Sequence, residues 1–207
     1  ETEILVVLVR FARAARRPDL ADHYARLLLR LSLETQWRRA AFAAQGFDVQ
    51  VRMVSTVPDA SRGGPQLPFD DRIYTLGFEA FLDNRKLEDA WKVAASAVRQ
   101  APNNLAWRER LAQVSEWTAR PQQALANWLV IAQASGREEG WNAVLRLAPG
   151  LFDDAALRLA LQHQLTRQPD NEVLLREVVA VYERQGQPLA GLKFLEQTYR
   201  RTGKVWV

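Results

Sequence analysis

The sequence contains no cysteine among its 207 residues. This absence excludes a disulfide framework and any thiolate-ligated metal site. Long apolar runs are also missing, because the longest, residues 4–9, is far shorter than the roughly 20 residues of a membrane-spanning helix. Lysine is scarce, since only four of the 28 basic residues are lysine. The mild net charge of +4 is spread along the whole chain, which favours a solvated surface and argues against nucleic acid binding.

Groups of residues that carry catalysis are missing as well. The two histidines, His23 and His163, lie 140 positions apart and have no second histidine nearby. Adjacent carboxylates occur only where helices are predicted to begin, a place where the helix dipole favours negative charge. No phosphate-binding loop, nucleophile elbow or zinc-ligand spacing is present. We therefore predict a protein that is not an enzyme and that has no cofactor, metal or catalytic residue.

The residues that are abundant favour helix. Leucine, alanine, arginine, glutamine and glutamate dominate the chain, and all of them are strong helix formers. Hydrophobic residues make up 48% of the sequence and charged residues 25%, enough apolar side chains for a buried core. The composition predicts an all-α protein.

Tryptophan and alanine recur at an interval of 34 residues. Trp107 and Trp141 are 34 positions apart, and so are Ala90 and Ala124. A second pattern places proline three residues before a small residue, as in Pro18 with Ala21, Pro121 with Ala124 and Pro188 with Gly191. Proline is tolerated in the first turn of a helix, and small residues let paired helices approach closely. The chain thus resembles the tetratricopeptide repeat (TPR) family, in which each repeat of 34 residues is a helical hairpin.

The resemblance implies a right-handed superhelix, or α-solenoid, of TPR hairpins. We assign residues 1–31 to the first hairpin and residues 71–207 to a stack of about four hairpins or parts of them. Residues 32–70 are either a degenerate repeat or a long loop, because residues 36–45 can form one helix but five later prolines and glycines forbid a second. In the fourth hairpin, Pro149 and Gly150 end the first helix early, and Asp153 is predicted to cap the second.

The first helices of TPR hairpins line the concave face of the stack, which usually binds an extended or helical partner segment. Equivalent offsets place a mixed-charge row toward that face, and Trp117, near the end of a first helix, borders it. Besides Ala180, the candidate partner-binding residues are Arg72, Glu79, Glu109, Arg110, Gln113, Glu116, Trp117, Arg176, Glu177 and Glu183. The same row is also compatible with an ordinary solvated helix surface.

A narrower resemblance lies in residues 84–91 and 108–125, which look like the periplasmic TPR region of the PelB family. Proteins of that family serve Pel exopolysaccharide secretion in Gram-negative bacteria and join a TPR array to a C-terminal outer-membrane barrel. The resemblance implies a periplasmic segment that binds a PelA-like deacetylase/hydrolase and holds it near the pore. It implies membrane contact only through a barrel outside this sequence. The polysaccharide itself is a second candidate ligand, although Pel polymer is cationic and the positive net charge disfavours it.

A different class of function stays open at this point. The chain also suits the TPR arm of a glycosyltransferase or regulator that binds peptides in the cytoplasm. No family motif of known binding residues can be transferred to this sequence.

Overall fold

The computed structural model describes residues 2–44 and 70–203, with side chains described for residues 2–31 and 70–203. All regular structure in these ranges is helical, and none of the described helices is long and apolar enough to cross a bilayer. The helices are α1 (Thr2–Ala14), α2 (Pro18–Ala44), α3 (Asp71–Asp83), α4 (Leu87–Gln100), α5 (Leu105–Trp117), α6 (Pro121–Ser135), α7 (Glu138–Leu147), α8 (Asp154–Arg167), α9 (Glu172–Arg184) and α10 (Pro188–Thr202), with one 3-10 turn, Pro149–Leu151.

The repeat is clearest in the backbone conformation of the hairpin turns. In each hairpin the two helices are joined by a short turn that contains one residue in the left-handed region, at Arg16, Arg85, Ala119, Phe152 and Gly186. These residues are 69, 34, 33 and 34 positions apart. A left-handed residue lets the chain leave one helix and reverse direction within a few residues. The predicted all-α stack of TPR-type hairpins is confirmed.

Helix starts follow the predicted local chemistry. Pro18, Pro121 and Pro188 open α2, α6 and α10, where a missing backbone N–H leaves no hydrogen bond unmade. The predicted cap at Asp153 is confirmed, because its carboxylate accepts a hydrogen bond from the backbone N–H of Ala156 at 2.9 Å. The predicted early end of the preceding helix is also confirmed, since α7 stops at Leu147 and a 3-10 turn follows.

The described residues form two compact units, Glu1–Thr118 and Ala119–Val207. In the first unit α2 packs on α3 and α4 packs on α5, and in the second α6 packs on α7 and α8 on α9. The second helix of one hairpin therefore packs on the first helix of the next. The first core includes Val9, Leu28, Phe81 and Trp107, and the core at the end of the second unit is built around Val178 and Val181.

The boundary predicted at residue 31 does not coincide with the end of a helix, since α2 continues to Ala44. Residues 36–44 therefore belong to the second helix of the first hairpin and do not begin a separate helix. Residues 45–69 lie outside the described residues, so the choice between a degenerate repeat and a long loop stays a prediction.

Candidate partner-binding surface

Ion pairs connect α1 and α3, the first helices of the first two hairpins. The Arg13 guanidinium of α1 donates to Glu79 at 2.7 Å and to Asp83 at 2.6 Å, both on α3. Burial alone lowers the pKa of Arg13, but the hydrogen bonds to the two carboxylates raise its pKa above the ordinary value. Arg72 of α3 pairs with Glu3 of α1 at 2.8 Å. These contacts hold α1 and α3 side by side.

Helix α5 is attached to α3 by a second set of contacts. The Trp107 indole N–H donates to the Asp71 carboxylate at 2.6 Å. Arg110 donates to the Thr75 hydroxyl at 3.0 Å, and its guanidinium lies 4.4 Å from the centroid of the Trp107 ring. A cation held over an indole face in this way adds a favourable electrostatic contact. We call the outward surface formed by α1, α3 and α5 the first-helix face of the first unit.

Three candidate residues of α5 lie on a single stripe of this face. Arg110, Gln113 and Trp117 are spaced three and four positions apart, the spacing that places side chains one above another on a helix. Glu109 and Glu116 lie beside the stripe, and both are half-buried. Trp117 is 55% exposed, although indole rings are usually largely buried. The stripe therefore presents an apolar ring next to polar groups.

The candidate residues of the second unit are exposed on α9. Arg176, Glu177 and Glu183 are exposed, and Ala180 is half-buried. Arg176 lies 3.7 Å from Glu172 one turn earlier. At this distance and exposure the ion pair contributes little to stability. The mixed-charge row is thus divided between two units, with its α3 and α5 members in the first and its α9 members in the second.

Sequence reasoning missed the contribution of α1 to this face. Arg13, Glu3 and Asp83 were absent from the candidate residues, yet two of them are the α1 partners of Glu79 and Arg72. The 69-residue offset between the first two hairpins was the available signal, because Glu3 and Arg72 occupy corresponding first turns. Charges on neighbouring helices at corresponding turns are within reach of one another.

Neither histidine lies in a metal-ligand cluster within the part of the chain that the structure describes. The His163 ring stacks on Trp141, with ring centroids 4.6 Å apart and planes at 15°, and its Nε2 is 3.1 Å from Glu138 Oε1. His23 is exposed, with its ring edge-to-face against Tyr24. These surroundings are those of packing and surface residues.

Comparisons with known proteins give structural similarity only. No protein-family model and no curated protein matches the chain. Among solved structures, MamA protein matches with a TM-score of 0.49 and 11% identity, covering 98% of this chain and 92% of that chain. MamA AMB-1 matches with a TM-score of 0.46 and 13% identity, covering 99% of this chain and 93% of that chain. MamA MSR-1 matches with a TM-score of 0.44 and 14% identity, covering 94% of this chain and 95% of that chain.

Proposed function

We propose that the chain is a non-catalytic scaffold that binds a partner protein through the first-helix face of the first unit. The observation that carries this proposal is Trp117, an indole that is 55% exposed on a face whose neighbouring charges are already paired with one another. Tandem helical repeats present extended surfaces that bind other proteins. Tryptophan is among the residues that dominate the binding energy of such surfaces.

The paired charges prepare this face for binding. Arg13, Glu79 and Asp83 are held in one geometry, and Arg110 is fixed by Thr75 and by the Trp107 ring. A partner that docks on fixed side chains loses less conformational entropy than one that must order them. We therefore assign specificity to the apolar ring of Trp117 and the amide of Gln113, and support to the ion pairs.

The proposed setting is Pel-type exopolysaccharide export, with the chain in the periplasm and a PelA-like deacetylase/hydrolase as the partner. The support for this setting is the sequence resemblance to the PelB family. Trp117 lies inside residues 108–125, one of the two segments that carry the resemblance. A scaffold that holds a polymer-modifying enzyme near the export pore needs a binding surface but no catalytic group of its own.

The proposal is tested by measuring the affinity of a purified PelA-like enzyme for the immobilised chain. Trp117→Ala should weaken binding by about 30-fold, the effect of removing one central anchor of about 2 kcal/mol. Phe152→Ala is the matched control, because Phe152 is an aromatic residue that is 92% exposed but lies in a hairpin turn of the second unit. The control should bind as tightly as the unchanged chain.

Circular dichroism of both variants checks that helix content is kept. Equal binding by the chain and Trp117→Ala would exclude the first-helix face as the site. No binding by the unchanged chain would exclude this class of partner.

A further inference from the structure

Two hairpin turns of the first unit carry an arginine in the left-handed backbone region. Arg16, in the turn between α1 and α2, has a φ of 53°, and Arg85, between α3 and α4, has a φ of 58°. The two residues are equivalent, since they lie 69 positions apart. A residue with a Cβ is strained in this region, which favours glycine, and the last hairpin has Gly186 at the same position. Backbone conformation therefore does not explain an arginine at both turns.

The guanidinium groups of these two arginines have no partner in the part of the chain that the structure describes. Arg16 and Arg85 are both exposed, and no described side chain forms a hydrogen bond or an ion pair with either of them. Neighbouring charges are instead paired with one another, as Arg13–Asp83, Arg17–Asp19 and Lys86–Asp22. Two positive charges thus remain uncompensated at these turns.

A cation just beyond a helix also interacts favourably with the helix dipole. This interaction does not single out Arg16 and Arg85, because Arg13 already lies in the last turn of α1 and Lys86 follows the end of α3 by three residues. The dipole therefore explains a positive charge near each helix end, but it does not explain two exposed guanidinium groups that the fold leaves without a partner.

A pocket of about 370 Å³ lies between the two turns. The Asn84 side chain donates to the Pro18 carbonyl at 2.8 Å, so the turns are bonded to each other beside the pocket. Three guanidinium groups and three apolar side chains line the pocket, from Arg13, Arg16, Arg17, Ala12, Pro18 and Ala21. The Asp83 carboxylate also borders it but is held by Arg13 at 2.6 Å. The lining therefore combines an excess of positive charge with apolar surface.

This lining favours an anion that is attached to an apolar stem. A guanidinium donates two parallel hydrogen bonds to a carboxylate, and the N–H groups of Arg16 are available for them. The methylene groups of a glutamate side chain would contact the apolar side chains of Ala12, Pro18 and Ala21 next to that carboxylate. A flat layer of lipid headgroups would reach the exposed arginines but would not fill a concave pocket.

We propose that the pocket and the two free arginines bind an acidic segment of a partner protein. One carboxylate of the segment binds Arg16 in the pocket, and a second binds Arg85, which directly follows Asn84 at the border of the pocket. Packed helices lie about 10 Å apart, and an extended chain spans this distance in about three residues. The acidic residues of the segment are therefore about three positions apart. The site lies on hairpin turns, away from the Trp117 stripe, so it adds a second contact to the proposed scaffold.

The test measures the fluorescence anisotropy of a labelled oligoglutamate peptide that is titrated with the chain. The unchanged chain should bind this peptide but not an oligoglutamine peptide of equal length, and the affinity should fall as salt screens the exposed charges. Arg16→Gln with Arg85→Gln (the turn variant) should weaken binding by about tenfold. Lys92→Gln with Arg99→Gln is the matched control, because it removes two exposed cations of α4 and should bind as tightly as the unchanged chain.

Circular dichroism and urea unfolding verify the fold of each variant. Arg16→Gly with Arg85→Gly, which suits the left-handed backbone, repeats the test if the turn variant loses helix. Equal affinity of the turn variant and the unchanged chain would overturn the proposal, even with a loss of stability, because the arginines would then act only at the helix ends. An equal loss of affinity in the control variant would also overturn it, since the peptide would then respond to net charge alone.

Two further measurements identify the occupant. A chain that does not bind the peptide would overturn the proposal, and binding of phosphatidylglycerol vesicles through Arg16 and Arg85 in its place would assign the site to a membrane surface. Trp117→Ala should bind the peptide as the unchanged chain does. A failure of this site and a failure of the proposed first-helix face are therefore distinguishable.

Discussion

Trp107 and Trp141 occupy equivalent positions 34 residues apart, one in each unit, yet their surroundings differ. Trp107 is fully buried, donates its indole N–H to Asp71 and meets Tyr74 and Phe78 edge-to-face. Trp141 is 7% exposed and stacks on His163, and its buried Nε1 has no hydrogen-bond partner among the described residues. One indole is bonded and enclosed by aromatic rings, and the other contributes packing alone.

The difference shows which properties a repeat fixes. The period fixes the position and size of the side chain, because a large ring fills the space where helices of adjacent hairpins meet. The polar partner depends on individual residues. Asp71 precedes Trp107 by 36 positions, and the residue 36 positions before Trp141 is Leu105, whose side chain has no acceptor. We therefore expect the two equivalent tryptophans to stabilise their units by different amounts.

The largest expected effect comes from replacing Trp107 with phenylalanine, and the same change at Trp141 is its comparison. Trp107→Phe removes the donor to a charged carboxylate, which costs about 1.5–3 kcal/mol, and also leaves a small cavity. Trp141→Phe removes an indole N–H that makes no such bond, so its cost should be about 1 kcal/mol from lost packing. Urea unfolding followed by circular dichroism measures both variants against the unchanged chain. Equal losses of stability would show that the Asp71 bond contributes nothing.

The fold was predictable from sequence because it depends on spacing. Turns, helix starts and the period follow from proline, small residues and caps, all of which act locally. Asp153 was predicted as a cap on this basis, and it is one. The end of α2 was not predicted, because a helix of 27 residues contains no local stop signal at residue 31.

The candidate surface was only partly predictable. Helical periodicity placed Arg110, Gln113 and Trp117 on one stripe of α5. It did not show that Glu79 is bonded to Arg13, because that contact joins residues 66 positions apart and depends on the conformations of two long side chains.

A smaller effect is expected one residue before Trp141. The Cβ of Gly140→Ala would lie 2.9 Å from the backbone nitrogen of Ala132 and 3.0 Å from its Cα. Backbone atoms of a packed helix move only with the helix, so this substitution should cost about 1–3 kcal/mol through overpacking. The contact between α6 and α7 would then be strained while Trp141 stays unchanged.

Two other glycines calibrate this measurement. Gly150→Ala meets nothing within 4 Å and should leave the urea midpoint nearly unchanged. For Gly77→Ala the three nearest atoms are side-chain carbons of Leu29, at 3.0–3.3 Å, and a side chain can move more easily than a backbone, so this variant should fall between the two. An unchanged midpoint for Gly140→Ala would mean that α6 and α7 separate without cost.

The smallest expected effect concerns Glu138, the carboxylate that contacts His163, the histidine stacked on Trp141. The hydrogen bond from His163, together with the ion pair to Arg167, lowers the pKa of Glu138 below its ordinary value of 4.5. An acid whose pKa is lowered by folding adds stability above its unfolded pKa and loses it as the pH falls through the lowered value. Glu138→Gln should therefore reduce stability slightly at neutral pH, and the deficit should vanish in acid. The effect is small because Glu138 is exposed and solvent screens its contacts.

Urea midpoints of the unchanged chain and of Glu138→Gln, measured from neutral pH down through the titration of ordinary carboxylates, check this prediction. Glu139→Gln is the matched control, because it removes the adjacent charge but keeps the contact between Glu138 and His163. A carboxyl-detected NMR titration gives the pKa of Glu138 directly, and His163→Gln should shift that pKa back toward 4.5. A deficit of Glu138→Gln that grows as the pH falls would contradict the expected sign of the pH dependence.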